Sequence, residues 1–150
     1  MTNSMTLAEM LAEAKARAKP PRRRGIAAEH KLQTECVRWF RLQYPNLAPR
    51  LFAVPNGGRR DATTAKRLKE EGVLAGVSDL ILLKQCRQRS KHYGALLIEM
   101  KTMRHGSAQS SAQMEWQANV TTNDEYQYVV CRSFDAFRSA VENYLTGCNI

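Results

Sequence analysis

The sequence predicts a mixed α/β domain, and three observations carry that prediction. Short apolar runs bounded by Gly, Pro or charged residues recur along the chain, as strands buried in a sheet do. Between them lie stretches whose apolar residues fall at helical spacing. The chain has 150 residues, 43% of them hydrophobic, which is enough for one core without staples.

The elements follow in order. Leu7, Met10, Leu11 and Ala14 suggest a short amphipathic helix within Thr6 to Ala18, which runs into Lys19-Pro20-Pro21-Arg22-Arg23-Arg24-Gly25. Two prolines and three adjacent arginines oppose packing there, so residues 1–25 read as a basic, flexible arm and residues 26–150 as the domain. Glu29 to Tyr44 reads as a helix with Leu32, Cys36, Val37, Trp39 and Phe40 as its apolar stripe, stopped by Pro45-Asn46. Trp39, Phe40, Phe134 and Phe137 are assigned to the core on the same periodicity.

Leu51 to Val54, held between Pro49 and Pro55, is a strand, and Asn56-Gly57-Gly58 a turn. Asp61 caps a basic helix that Gly72 ends near Glu71. Asp79 to Leu83 is the next strand, followed by a basic loop from Lys84 to Tyr93, and Ala95 to Lys101 is another. Ser107 or Ser110 starts a helix to about Val120. Tyr126 to Cys131 is a strand, and Ser133 caps a final helix bearing Phe134, Phe137, Val141 and Leu145. The expected order is α-β-α-β-β-α-β-α.

Composition bounds the function. No apolar run approaches the ~20 residues that cross a bilayer, and no apolar stretch follows a basic start as in a secretory signal. Cys36, Cys86, Cys131 and Cys148 are scattered without metal-ligand spacing, so reduced thiols and a cytoplasmic setting are expected. His30, His92 and His105 lie far apart, which disfavours a histidine metal cage or triad. The net charge is +9. Residues 50–91 hold ten basic and four acidic residues, and residues 1–25 six and two. A polyanion, nucleic acid first, is the partner such patches suit.

Chemistry concentrates at Leu97-Ile98-Glu99-Met100-Lys101. Alternation puts Glu99 and Lys101 on one face of an apolar strand, a costly arrangement unless they face a cleft, a metal or each other. Asp79, at the start of another apolar strand, completes the pattern D-x(19)-E-x-K. Adjacent strands would join the two carboxylates into a hard-oxygen site for Mg²⁺ or Mn²⁺, with Lys101 beside it to orient water and stabilise charge on a phosphate.

At this point the chain resembles the virus-type replication-repair nuclease (VRR-NUC) domain, a branch of the PD-(D/E)xK nuclease superfamily. The resemblance runs through Glu29-His30-Lys31-Leu32-Gln33, Val54-Pro55-Asn56-Gly57-Gly58-Arg59-Arg60, and Glu71 to Leu80. It continues through Ile98-Glu99-Met100-Lys101 and Ser110-Ser111-Ala112-Gln113, so it covers roughly residues 28–146.

The resemblance implies a restriction-endonuclease-like αβββαβ core with a mixed central sheet flanked by helices. It implies Asp79, Glu99 and the Met100 carbonyl as metal ligands, Lys101 as the catalytic lysine and Gln113 as a further site residue. Glu29 or Gln33 would serve from the first helix, with Glu35 ranked third. The departure from a PD start is Ser78 in place of proline.

The DNA-binding candidates are Asn56, Gly57, Gly58, Arg59 and Arg60, whose glycines admit close approach and whose arginines clamp phosphate, then Lys66, Arg67 and Lys69 on the next helix. Arg87, Arg89, Lys91 and His105 are weaker candidates. The expected activity is metal-dependent hydrolysis of duplex or branched DNA, junctions and flaps included. Small members of the family resemble junction-resolving dimers, so a homodimer in a bacterial or phage-infected cell is expected. Two rivals stand beside this reading: a non-catalytic DNA-binding protein on the same fold, and an RNA-processing nuclease.

Overall fold

The computed structural model describes residues 22–55, 61–88, 90–103 and 107–148, with residues 22–26 described by backbone alone. Within them the chain folds as mixed α/β. Helix α1 spans Arg22–Gln43, a 3-10 helix Pro45–Arg50 leads into β1, Leu51–Ala53, and α2 spans Ala62–Glu70. Strands β2, Leu80–Leu82, β3, Cys86–Gln88, β4, Lys91–Tyr93, and β5, Leu96–Met100, follow. Then come α3, Ser111–Val120, β6, Gln127–Cys131, and α4, Phe134–Thr146.

The main sheet has the order β1-β2-β5-β6, antiparallel from β1 to β5 and parallel between β5 and β6. A parallel pair needs a crossover, and α3 supplies it. Side chains alternate across a strand, so the sheet divides its residues between two faces. Leu80 and Leu82 of β2 with Leu96, Ile98 and Met100 of β5 enter the core on one face. There they meet Cys36 and Phe40 of α1 and Phe137, Val141 and Tyr144 of α4. Trp39 packs edge-on against Tyr44, Phe134 and Phe137, so the aromatic stripes are core as expected. Truncating the wholly buried Phe40 to Ala would cost about 3–5 kcal/mol. The opposite face of β5 carries Leu97 and Glu99, and this is the face that α3 borders.

Caps fix the helix starts as the sequence implies. Asp61 accepts from the Thr64 N–H at 2.9 Å, Ser110 caps α3, and Ser133 accepts from the Ala136 N–H at 3.1 Å. Helix α2 has no buried residue.

Three expectations are corrected. Within the described residues helix α1 already includes Arg22, seven residues before Glu29, so the arginine run is helical backbone. The expected loop from Lys84 to Tyr93 is a hairpin, β3 paired with β4 from Cys86↔Tyr93 to Gln88↔Lys91. Cys86 and Cys148 are not separate thiols: they form a disulfide with Cα atoms 4.6 Å apart, tying β3 to the second residue after α4, while Cys36 and Cys131 are free and buried. The anticipated helix at Thr6 to Ala18, the turn and arginines at residues 56–60, Arg89 and His105 lie outside the described residues. No helix among the described residues is long and apolar enough to cross a membrane.

Candidate active site

Strand register builds the centre of the site. Leu80 pairs with Ile98, and both point into the core. Carried one residue outward, the same antiparallel register sets Asp79 opposite Glu99, with both side chains on the other face. A bond from main chain to side chain ties the two segments there: the Met100 N–H donates to Asp79 Oδ2 at 2.8 Å. Met100 thus brings its main chain to the site while its side chain stays in the core.

Glu99 is wholly buried, and three donors converge on it. Lys101 Nζ lies 2.9 Å from its Oε1, Gln113 Nε2 donates to the same oxygen, and the Tyr128 hydroxyl donates to Oε2 at 3.4 Å. Burial pushes the Glu99 carboxyl up from 4.5 to about 7, against the pull of Lys101 and with the added repulsion of Asp79. Asp79 is likewise raised, by burial first, while the Met100 N–H and Lys101 oppose the rise and the Glu29 charge adds to it. Two carboxylates that resist ionisation side by side gain from a cation.

Gln113 owes its placement to a reciprocal cap. Ser110 Oγ accepts from the Gln113 N–H at 3.3 Å, and Gln113 Oε1 accepts from the Ser110 N–H at 2.8 Å. With its oxygen engaged in the cap, the amide nitrogen turns toward Glu99. Gly76 brings α3 within reach: its φ is +88°, and a Cβ there would sit 2.3 Å from the Ala112 carbonyl oxygen.

The segment after Lys101 is pinned from both sides. Arg132 Nη1 donates to the Thr102 and Ser107 carbonyls at 3.1 and 2.8 Å. Ser107 Oγ accepts from the Thr102 N–H at 3.2 Å and donates to Glu29 Oε1 at 3.3 Å. Glu29 therefore reaches the site through Ser107 and through its charge on Asp79. Gln33 lines a separate groove with His30, Val37, Arg41 and Ala53, and Glu35 is exposed.

Among the DNA-binding candidates, Lys66 and Arg67 are exposed on α2 and pair with Glu70 at 3.9 Å and Glu71 at 3.5 Å. Such surface pairs are worth little and yield readily to phosphate. Lys69 is exposed on the same helix, Arg87 is exposed on β3, and Lys91 pairs with Asp124 at 2.8 Å.

Sequence reasoning missed Tyr128, Gln109, Ser107 and Arg132. A tyrosine inside an apolar strand was the one available signal, because its hydroxyl needs a partner when buried. Burial, with the Glu99 charge beside it, holds the Tyr128 hydroxyl well above its ordinary range, so it remains a donor. Trp116 packs at 6.1 Å against the Tyr128 ring.

Among the described residues no three His, Cys, Asp or Glu side chains converge as a ready metal cage. The donor set is a carboxylate pair, which fits a hard cation that keeps several of its waters, as Mg²⁺ does.

No functionally curated protein shows a significant sequence match. A solved structure described as a VRR_NUC domain protein superposes with a TM-score of 0.63 at 26% identity, over 79% of this chain and 88% of that one. The VRR-NUC domain model matches residues 23–135, which takes in Glu29, Asp79, Glu99, Lys101 and Gln113. That span, met by the same arrangement of sheet and helices in the solved structure, places the chain in the VRR-NUC domain family.

Proposed function

We propose that this protein is a divalent-metal-dependent DNA nuclease that hydrolyses phosphodiester bonds. One observation carries the reading: Asp79 just before β2, Glu99 of β5, Lys101 just after it and Gln113 of α3 meet at one point on the sheet. A protein that only binds DNA has no physical use for buried carboxylates that repel phosphate at its centre. Family membership supports the same class of chemistry.

Asp79 and Glu99 would hold Mg²⁺ or Mn²⁺, with the Met100 carbonyl beside them. Bound there, the ion would supply charge neutralisation at the phosphate and acidify a water. Lys101 would orient the attacking water and stabilise charge developing on the phosphate oxygens. Gln113 would hold Glu99 in place from the helix side. Arg59, Arg60, Lys66, Arg67 and Lys69, together with the Asn56-Gly57-Gly58 turn, would carry backbone affinity. A duplex presents two strands to a single site per chain, so a homodimer acting on junctions or flaps is the assembly we favour.

The test is the purified protein with Mg²⁺ or Mn²⁺ against single-stranded, duplex, flapped and four-way DNA, with RNA of matched sequence. Cleavage of DNA that chelation abolishes is the expected result. Binding without cleavage, or cleavage of RNA alone, would replace the reading with one of its rivals.

A further inference from the structure

Glu99 is fixed on one side by Lys101 and Gln113, and its remaining oxygen faces a chain of polar groups that cleavage chemistry does not call for. Gln109 Nε2 donates to Gln117 Oε1 at 2.9 Å and to the Tyr128 hydroxyl oxygen at 3.2 Å. A primary amide nitrogen has two hydrogens, and these two bonds use both. The Tyr128 oxygen therefore accepts from Gln109, and its single proton is directed at Glu99 Oε2. In this arrangement the relay runs from Gln109 through Tyr128 to Glu99.

Position reinforces the direction. Tyr128 lies opposite Leu97 across the parallel β5–β6 pairing, two residues before the partner of Glu99, so its ring stands on the site face. Trp116 of α3 packs against that ring at 6.1 Å. Gln109 and Gln117, before and within α3, are half-buried. The hydroxyl is thus held from the ring side by Trp116 and from the oxygen side by Gln109.

We infer that Tyr128 is a positioning residue for the metal centre: its hydroxyl, oriented by Gln109, sets the rotamer of Glu99 and keeps one carboxylate lone pair aimed at the cation. A carboxylate offers about four acceptor sites, and Lys101, Gln113 and Tyr128 occupy three. The relay decides which one is left for the metal. Tyr128 touches neither substrate nor ion, and acts through Glu99 alone. The inference rests on the metal-dependent reading above.

The experiment is calorimetric titration of the full chain with Mn²⁺, for the wild type, Tyr128→Phe, Gln109→Met and Glu99→Gln, without DNA. Outer-shell partners of metal ligands change affinity by about 10- to 100-fold, so Tyr128→Phe should weaken Mn²⁺ binding by about tenfold or more. Gln109→Met, which keeps the ring and its packing, should weaken it in the same direction by less. In cleavage assays Tyr128→Phe should demand more Mn²⁺ yet approach the wild-type rate at saturation, and its metal-free affinity for duplex DNA should not change. A merely structural role would lower the melting temperature without this split between metal demand and maximal rate.

Wild-type Mn²⁺ affinity in a folded Tyr128→Phe protein overturns the inference and leaves the nuclease reading intact. Should Tyr128→Phe fail to fold, unchanged affinity in Gln109→Met overturns it instead. A wild type that binds no Mn²⁺, indistinguishable from Glu99→Gln, overturns the metal-dependent reading and this inference with it.

Discussion

Gly76 and Gly72 offer a matched pair of substitutions that isolate the docking of α3 from backbone strain. Both glycines occupy the left-handed region, at φ +88° and +95°. A Cβ added at Gly72 meets nothing within 4 Å, whereas one at Gly76 would lie 2.3 Å from the Ala112 oxygen, 2.5 Å from its carbonyl carbon and 3.0 Å from the Gln113 nitrogen. Gly72→Ala therefore costs only the left-handed penalty, about 1–2 kcal/mol. Gly76→Ala adds a collision with backbone that no side-chain rotation relieves, and overpacking of this kind costs about 1–3 kcal/mol more. For a chain of this size each kcal/mol lowers the melting temperature by about 2–4 °C, so the two variants should melt about 2–12 °C apart. The first turn of α3 must also retreat by about 1 Å to restore normal contact, carrying Gln113 away from Glu99, and a shift of that size can cost about 100-fold in rate. Thermal melts and single-turnover cleavage of both variants read the two effects. Equal melting temperatures, or equal cleavage rates, would refute the claim that this contact places Gln113.

Asp79→Asn and Glu99→Gln should each abolish cleavage while preserving or raising DNA affinity, because ligand charge and phosphate repulsion vanish together; gel-shift and cleavage assays on one preparation check this. Metal binding should release protons below about pH 7 and cease to do so well above it, since Glu99 must ionise to act as a ligand. The sign is fixed by linkage: the folded, metal-free protein holds a proton between 4.5 and about 7 that the unfolded chain releases, so metal-free stability falls as pH rises through that window. Calorimetry in buffers of different ionisation heat, beside melts with and without Mg²⁺, measures both. Cys148→Ser should destabilise the oxidised protein by up to about 4 kcal/mol, the loop-closure value for a separation of 62 residues, and dithiothreitol should reproduce the loss in the wild type.

What the sequence made legible was whatever local pattern determines. Asp79, Glu99 and Lys101 could be placed because short apolar strands alternate, and alternation alone decides which side chains share a face. The caps at Asp61 and Ser133 were legible, and Ser110 as one of two candidates beside Ser107, because a cap and its target lie three residues apart. The β3–β4 hairpin was not legible, because its two three-residue strands are largely polar and exposed. What holds it is distant in sequence: the disulfide to Cys148 and the Tyr144 hydroxyl, which donates to the Lys84 carbonyl at 2.6 Å. The same limit hid the relay behind Glu99. Gln109, Gln117 and Tyr128 show no spacing that marks them as partners, and only the parallel pairing of β5 with β6 brings them to Glu99. Residue type named the candidate groups; the groups that touch them emerge only from the packed sheet.

Helix α2, with no buried residue, has a consequence for how the protein meets its substrate. A nine-residue helix is too short to be stable on propensity alone, so its folding rests on the Asp61 cap and two weak surface ion pairs. Strands β2, which Asp79 precedes, and β5, which carries Glu99, are among the most buried of the described strands. Local opening should therefore require little free energy in α2 and nearly the full global free energy in β2 and β5, a contrast that amide hydrogen exchange reads directly. On the nuclease reading proposed above, the basic helix would adapt to the contour of a nucleic acid while the carboxylates hold their spacing. Adaptability and rigidity are assigned to separate parts of a small domain, which would let it accept varied backbone shapes without loosening the carboxylate pair.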